Sequence, residues 1–176
     1  MKVHLDCFPC FLKQSLIALR YGTKDKDLQE KILKDLLEDV ELADTSWAPA
    51  YSTTFIHKKI RESLKKDPFS DIKSEYNQIA LKLYPYLMKK ALESEDPLWT
   101  ATRLAIAGNV IDFGIFTSVD IDGTIKRALN NPLSVDDYGS FRTAIYEAEE
   151  ILYLLDNAGE IVFDRILIET IQSNNK

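Results

Sequence analysis

Asp156-Asn157-Ala158-Gly159-Glu160 carries the strongest chemical potential in the chain, set between the apolar run 151–155 and the amphipathic run 161–171. A carboxylate beside a side-chain amide offers hard oxygen donors. Such donors suit Mg²⁺ or Mn²⁺, with water or substrate phosphate completing the shell. The free amides of a following helix favour anions, so a phosphate oxygen can sit beside the metal, and Gly159 lets the backbone come close. The same residues also have a purely structural use. Asn157 as N-cap with Glu160 three residues on matches a capping box, and Asp156 near a helix start satisfies the dipole. On the residues alone both readings stand.

Three further groups invite chemistry. Gly108-Asn109-Val110-Ile111-Asp112 supplies two short polar side chains, Asn109 and Asp112, as a second wall to the Asp156 loop if the helical part folds over it. Its structural use is helix termination, with Gly108 at positive φ. Asp120-Ile121-Asp122-Gly123-Thr124 resembles the nucleophile motif of haloacid dehalogenase-like phosphatases, in which the first Asp is phosphorylated and the second acts as acid and base. The run 115–119 before it is a mediocre strand, and a turn with an N-cap opening the next helix explains the same residues. Cys7 and Cys10 form a C-x-x-C at the entry of the first helix. They read as a buried structural pair, or as a redox or half-metal site with His4 and Asp6 nearby. His57 receives no role, since no partner is evident.

Apolar periodicity supplies the elements that must hold these groups. Helices are expected at residues 9–21, where Pro9 opens and Gly22 stops the run, and at 25–43, where Leu28, Ile32, Leu33, Leu36, Leu37 and Val40 recur at helical spacing. A third covers 53–65 with Phe55, Ile56, Ile60 and Leu64 inward, and a fourth covers 70–93 with a kink at Pro85. Shorter ones follow at 98–107, 123–129, 138–148 and 161–171. The unbroken run Ile151-Leu152-Tyr153-Leu154-Leu155 reads as a strand buried on both faces, which implies a mostly parallel sheet. The expected fold class is therefore α/β and α-rich: a helical part at 1–148, then at 149–176 the first strand, loop and helix of an α/β metal-binding part. Such a strand needs neighbours, supplied by 114–119, by another chain, or by a longer, here truncated, protein.

The 176 residues carry a net charge of −6, with 45% hydrophobic and 28% charged residues. That is globular usage, and it excludes disordered, collagen-like and disulfide-scaffold classes. The acidic balance, without a basic stripe, argues against nucleic acid. No apolar run approaches the roughly 20 residues of a membrane span, and the N-terminus lacks a signal-peptide pattern, so a cytoplasmic location is expected. A non-catalytic helical protein binding a partner through its unpaired strand edge is the competing reading from another class.

Three strings in order narrow the choice: Asp6-Cys7-Phe8-Pro9-Cys10, then Ala105-Ile106-Ala107-Gly108-Asn109-Val110-Ile111-Asp112-Phe113-Gly114, then Leu154-Leu155-Asp156-Asn157-Ala158-Gly159-Glu160-Ile161-Val162-Phe163-Asp164. Together they resemble the metal-dependent damage-control phosphatase family, in its cysteine-bearing prokaryotic branch, over essentially the whole chain. The resemblance implies a helical N-terminal part packed on an α/β part. It implies a divalent metal (Mn, Co, Ni or Mg) and hydrolysis of phosphate monoesters of small metabolites such as sugar phosphates or phosphopantetheine-like cofactors. It further implies that Asp156 and Asn157 bind the metal and take part in catalysis, while Asn109, Asp112, Gly159 and Glu160 line the substrate pocket. Asp120 and Asp122 fall in a region without a family role. Family members continue through strands with a third metal-binding Asp and a Lys-Gly-x-Gly-Asn stretch. Neither is in this sequence, so completion by a second chain or a further C-terminal part is expected.

Overall fold

The computed structural model describes residues 2–110 and 121–174. Among them the chain forms eight helices: α1 (Cys7–Gly22), α2 (Lys26–Glu41), α3 (Pro49–Leu64), α4 (Ser70–Leu92), α5 (Pro97–Val110), α6 (Ile121–Asn130), α7 (Tyr138–Glu147) and α8 (Glu160–Asn174). Each helix expected from periodicity is present. The chain divides into two compact units, Met1–Ile72 and Lys73–Lys176.

In the first unit α1, α2 and α3 pack on one another around Phe11, Ala18, Leu19, Ile32, Leu36, Val40, Ile56 and Ile60. The a/d-like spacing of α2 puts Ile32, Leu36 and Val40 on one buried stripe. Its start is fixed by Asp25, whose carboxylate accepts from the Asp27 and Leu28 amides at 3.0 Å each. Pro49 opens α3, where its missing N–H costs nothing, and Lys65 closes it in the left-handed region at φ 54°. Two inward expectations fail here. Phe55 and Leu37 are exposed, because their positions lie beside the buried stripe rather than on it. Nor are the cysteines a buried pair: Cys7 is half-buried and Cys10 exposed, both as free thiols.

In the second unit α5 packs along α8 and touches α6. Leu98, Ala101, Leu104, Ala105 and Ala107 of α5 meet Val162, Phe163, Ile166, Leu167 and Ile171 of α8, with Ile125 and Ile145 closing the core. Arg103 is buried within this layer. Its Nε donates to Ala128 O at 2.7 Å, and a terminal nitrogen reaches Ala128 O and Asn131 O, so its cation satisfies the carbonyl end of α6. The helix α4 runs through Pro85 without a break.

The α/β class with a parallel sheet is corrected by this structure. Among the described residues there is no strand, and 151–156 is neither helix nor strand. A doubly buried strand needs a ladder partner and two covering layers. Here Leu152 and Leu154 are 86% and 82% exposed, Ile151 and Leu155 are exposed too, and Tyr153 alone of the run turns inward. An unbroken apolar run of five residues specifies hydrophobicity but not what covers it. The second candidate strand, 114–119, lies outside the described residues, as do Asp112 and Asp120. Asp122 falls within α6 rather than in a turn before it.

Candidate functional site

The Asp156 loop is held within the second unit through three side chains, Asn77, Asn109 and Glu160. Gly159 has φ 83°, a conformation open to glycine, and this turns the chain into α8. Its N–H donates to Asn77 Oδ1 of α4 at 2.7 Å, so one amide at this helix start is already taken. Glu160, only 8% exposed, is the hub. Asn109 Nδ2 donates to its Oε1 at 2.9 Å, while Asn157 Nδ2 donates to its Oε2 at 2.9 Å and Asn157 N approaches the same oxygen at 3.4 Å. Asn157 Nδ2 also reaches Asp156 Oδ2 at 3.2 Å.

Half of the capping box is thus present: Glu160 reaches back to the Asn157 amide. The reciprocal bond is not, because the Asn157 amide group points its donor at carboxylates and its Oδ1 accepts no hydrogen bond from the described residues. Asp156 and Asn157 are both exposed. Two hard oxygen donors, one anionic, therefore face outward from a loop whose other side is anchored, and their chemistry fits Mg²⁺, Mn²⁺ or a similar cation. No group of three or more His, Cys, Asp or Glu side chains arranged for a metal exists among the described residues.

One turn into α8, Asp164 is 5% exposed and accepts from Tyr153 Oη at 2.7 Å. Burial pushes its carboxyl above the ordinary aspartate range. The charges of Glu160 and Asp156 push the same way, and the Tyr153 hydrogen bond opposes them. Tyr153 is itself pushed up, by burial first and then by its bond to Asp164. Asp156, Glu160 and Asp164 thus share one electrostatic neighbourhood.

Gly108 corrects another expectation. It lies inside α5 rather than ending it, and a Cβ there would stand 2.7 Å from Phe163 Cβ and 2.9 Å from its Cγ. Its missing side chain is what lets α8 come close enough for Asn109 to reach Glu160. Sequence reasoning missed Asn77, Tyr153 and Asp164. Nothing in the polar stretch around Asn77 marked it, whereas an inward Tyr in an otherwise outward run was a signal left unread. His57, expected without a partner, has its ring tilted against Phe69 at 6.2 Å between centroids in the first unit.

A family model for the damage-control phosphatase ARMT1-like domain matches residues 3–176. The chain belongs to this family. It is 33% identical to the damage-control phosphatase PH1575 of Pyrococcus horikoshii over 98% of its own length and 60% of that protein's. It is 30% identical to a damage-control phosphatase of Archaeoglobus fulgidus, covering 98% of the chain and 61% of the relative. An uncharacterised Methanocaldococcus jannaschii protein, MJ0202, is 32% identical over the full chain and 60% of its own length. The crystal structure of a DUF89 family protein from P. horikoshii superposes with a TM-score of 0.87 at 28% identity, covering 98% of this chain and 61% of that one. The chain thus spans about three fifths of the length of the relatives it matches.

Proposed function

We propose that this chain provides the metal-binding loop and helical part of a divalent-metal-dependent phosphatase acting on phosphate monoesters of small metabolites, sugar phosphates or phosphopantetheine-like cofactors among them. The observation that carries the reading is the Glu160 carboxylate held between Asn109 and Asn157, which joins the two strings that mark the family. Asp156 and Asn157 Oδ1 hold the cation, and residues 149–176 begin the metal-binding part. When bound, the cation supplies Lewis-acid charge to a phosphate oxygen and favours ionisation of water.

The chain's own residues prepare that site. Glu160 fixes the Asn157 carboxamide so that its nitrogen faces inward and its oxygen outward. Asn109 holds Glu160 in turn, which keeps a buried carboxylate satisfied. Gly159 and Asn77 set the loop's exit into α8. Asp156, Glu160 and Asp164 together would repel a phosphate dianion, a repulsion that a bound cation would offset. Asp112 belongs to this proposal as a further lining residue.

The test pairs two readouts. Calorimetric titration with Mn²⁺, Co²⁺, Ni²⁺ or Mg²⁺ is expected to show saturable binding, lost in Asp156→Ala and weakened by about 10 to 100-fold in Asn109→Ala, whose role is to orient. Phosphate release from sugar phosphates and phosphopantetheine is expected to follow the same order. Metal binding that survives Asp156→Ala would sink the assignment.

A further inference from the structure

The first unit contains a groove of about 590 Å³ between α2, α3 and the connection joining them. It belongs to none of the residues used above. Trp47 and Phe55 form aromatic walls. Their orientation is fixed by Tyr51, which stands edge-on to Trp47 at 4.5 Å and to Phe55 at 4.9 Å between ring centroids.

Ser52 lines the same groove and is 8% exposed. Its Oγ is the one buried side-chain polar atom without a hydrogen-bond partner among the described residues. Neighbouring hydroxyls show what a helix normally does with such a group. Thr53 and Thr54 both return to Ala50 O, at 3.0 and 2.9 Å. Buried Ser15 and Thr170 return to carbonyls four residues back, at 2.8 and 2.7 Å. Ser52 does not, and an orphaned buried hydroxyl is a group awaiting a partner. One rotation about its Cα–Cβ bond changes where the hydroxyl points.

Charge decides the ligand's sign. Of the two ammonium groups at the groove, Lys59 Nζ is held by Asp39 Oδ2 at 2.6 Å and Asp35 O at 3.0 Å, and Lys58 lies 3.9 Å from Glu62. That leaves Asp44 as the lining carboxylate without a close ion pair, the Lys2 ammonium acting on it only as the smallest of its influences. Its donors are the Ser46 amide, at 2.7 Å, and the Ser46 hydroxyl, which hold it below the ordinary aspartate range and so ionised. Aromatic faces attract cations through their quadrupoles, and a carboxylate outside any close ion pair adds to the same preference.

We infer that this groove binds a small organic ammonium compound with an apolar body, the cationic head near Asp44 and the Trp47 face, the body against Phe55, and Ser52 meeting its polar group. The site goes beyond the phosphatase reading and does not rest on it.

The experiment titrates the full chain with 2-phenylethylammonium, and in parallel with the neutral 2-phenylethanol, read by saturation-transfer NMR at low ionic strength. The ammonium compound is expected to saturate at millimolar concentration or below, with the alcohol about tenfold weaker or more, a difference of about 1.4 kcal/mol. Asp44→Asn keeps the acceptor for Ser46 and is expected to remove most of that preference. Trp47→Leu keeps an apolar side chain but removes the ring, and is expected to lose binding of both probes. Ser52→Ala is expected to raise the melting temperature of the free chain while weakening the ammonium compound several-fold. Equal binding of the two probes, an unchanged preference in Asp44→Asn, or no saturation by the ammonium compound up to about 10 mM would overturn the inference.

Discussion

Glu160 is a buried acid that earns its place by what it holds. Both carboxylate oxygens are committed, one to Asn109 and one to Asn157, which leaves Asp156 and the Asn157 carbonyl as the outward-facing oxygens. That division of labour depends on Gly108, because α5 and α8 must nearly touch for a side chain as short as Asn109 to bridge them. Gly108→Ala is therefore expected to cost about 1–3 kcal/mol, the usual penalty for overpacking a rigid contact. Gly139, in α7, is its control: a Cβ there meets nothing within 4 Å, so Gly139→Ala is expected to stabilise by up to about 1 kcal/mol through helix propensity. Urea denaturation of the two variants reads the contrast directly, and equal effects would refute the packing role of Gly108. The grouping of these residues was in part legible in the sequence. Asp156, Asn157, Glu160 and Asn109 were named from donor chemistry and resemblance, and the bond joining Asn109 to Glu160 makes them neighbours. The reason for Gly108 was not legible, since a glycine near a helix end signals termination equally well, and only the position of Phe163 distinguishes the two.

At the scale of elements, helices were readable because apolar residues at three- and four-residue spacing specify a face and a length together. A run such as Leu28, Ile32, Leu36 and Val40 admits one regular structure. The run at 151–155 carries no period, so it named a strand only by default, and the structure leaves it unpaired. Long-range polar staples were also invisible to periodicity. One joins α4 to α8, where Tyr84 donates to Glu169 and Arg165 Nε donates to the other Glu169 oxygen at 2.7 Å, its guanidinium lying 4.7 Å over the Tyr84 ring. The Tyr84 hydroxyl first, and Arg165 second, hold Glu169 below its ordinary value of 4.5. A carboxyl depressed in the folded state stabilises above its unfolded value, and that contribution disappears as pH falls through the folded value. Glu169→Gln is therefore expected to lose about 1 kcal/mol at neutral pH, a hydrogen bond to charge being the lost quantity. The difference from the parent chain should shrink as pH falls below 4.5, until both chains unfold alike. Thermal melts across the acid range test this, and a gap that widened on acidification would invert the assigned sign.

At the scale of the whole molecule, two compact units each carry a core of their own, and among the described exposed apolar residues those of 151–155 form the densest run along the chain. The segment 151–155 presents Leu152 and Leu154 almost fully to solvent, although a helical protein of this composition has ample polar residues to put there. Exposure on this scale makes a sharp energetic statement about the chain. Removing a leucine from a packed interior costs about 2–5 kcal/mol, whereas surface substitutions stay within about 0.5 kcal/mol. Leu152→Ser and Leu154→Ser are thus expected to leave the urea midpoint nearly unchanged, while Leu104→Ala, fully buried in α5, should lower it by the full core penalty. The two serine variants should also reduce self-association in sedimentation experiments, because solvent-facing leucines on an unpaired backbone are what adhesive surfaces are made of. A core-sized loss in either serine variant would mean that the chain in solution already covers this segment, and the exposure described here would have to be abandoned.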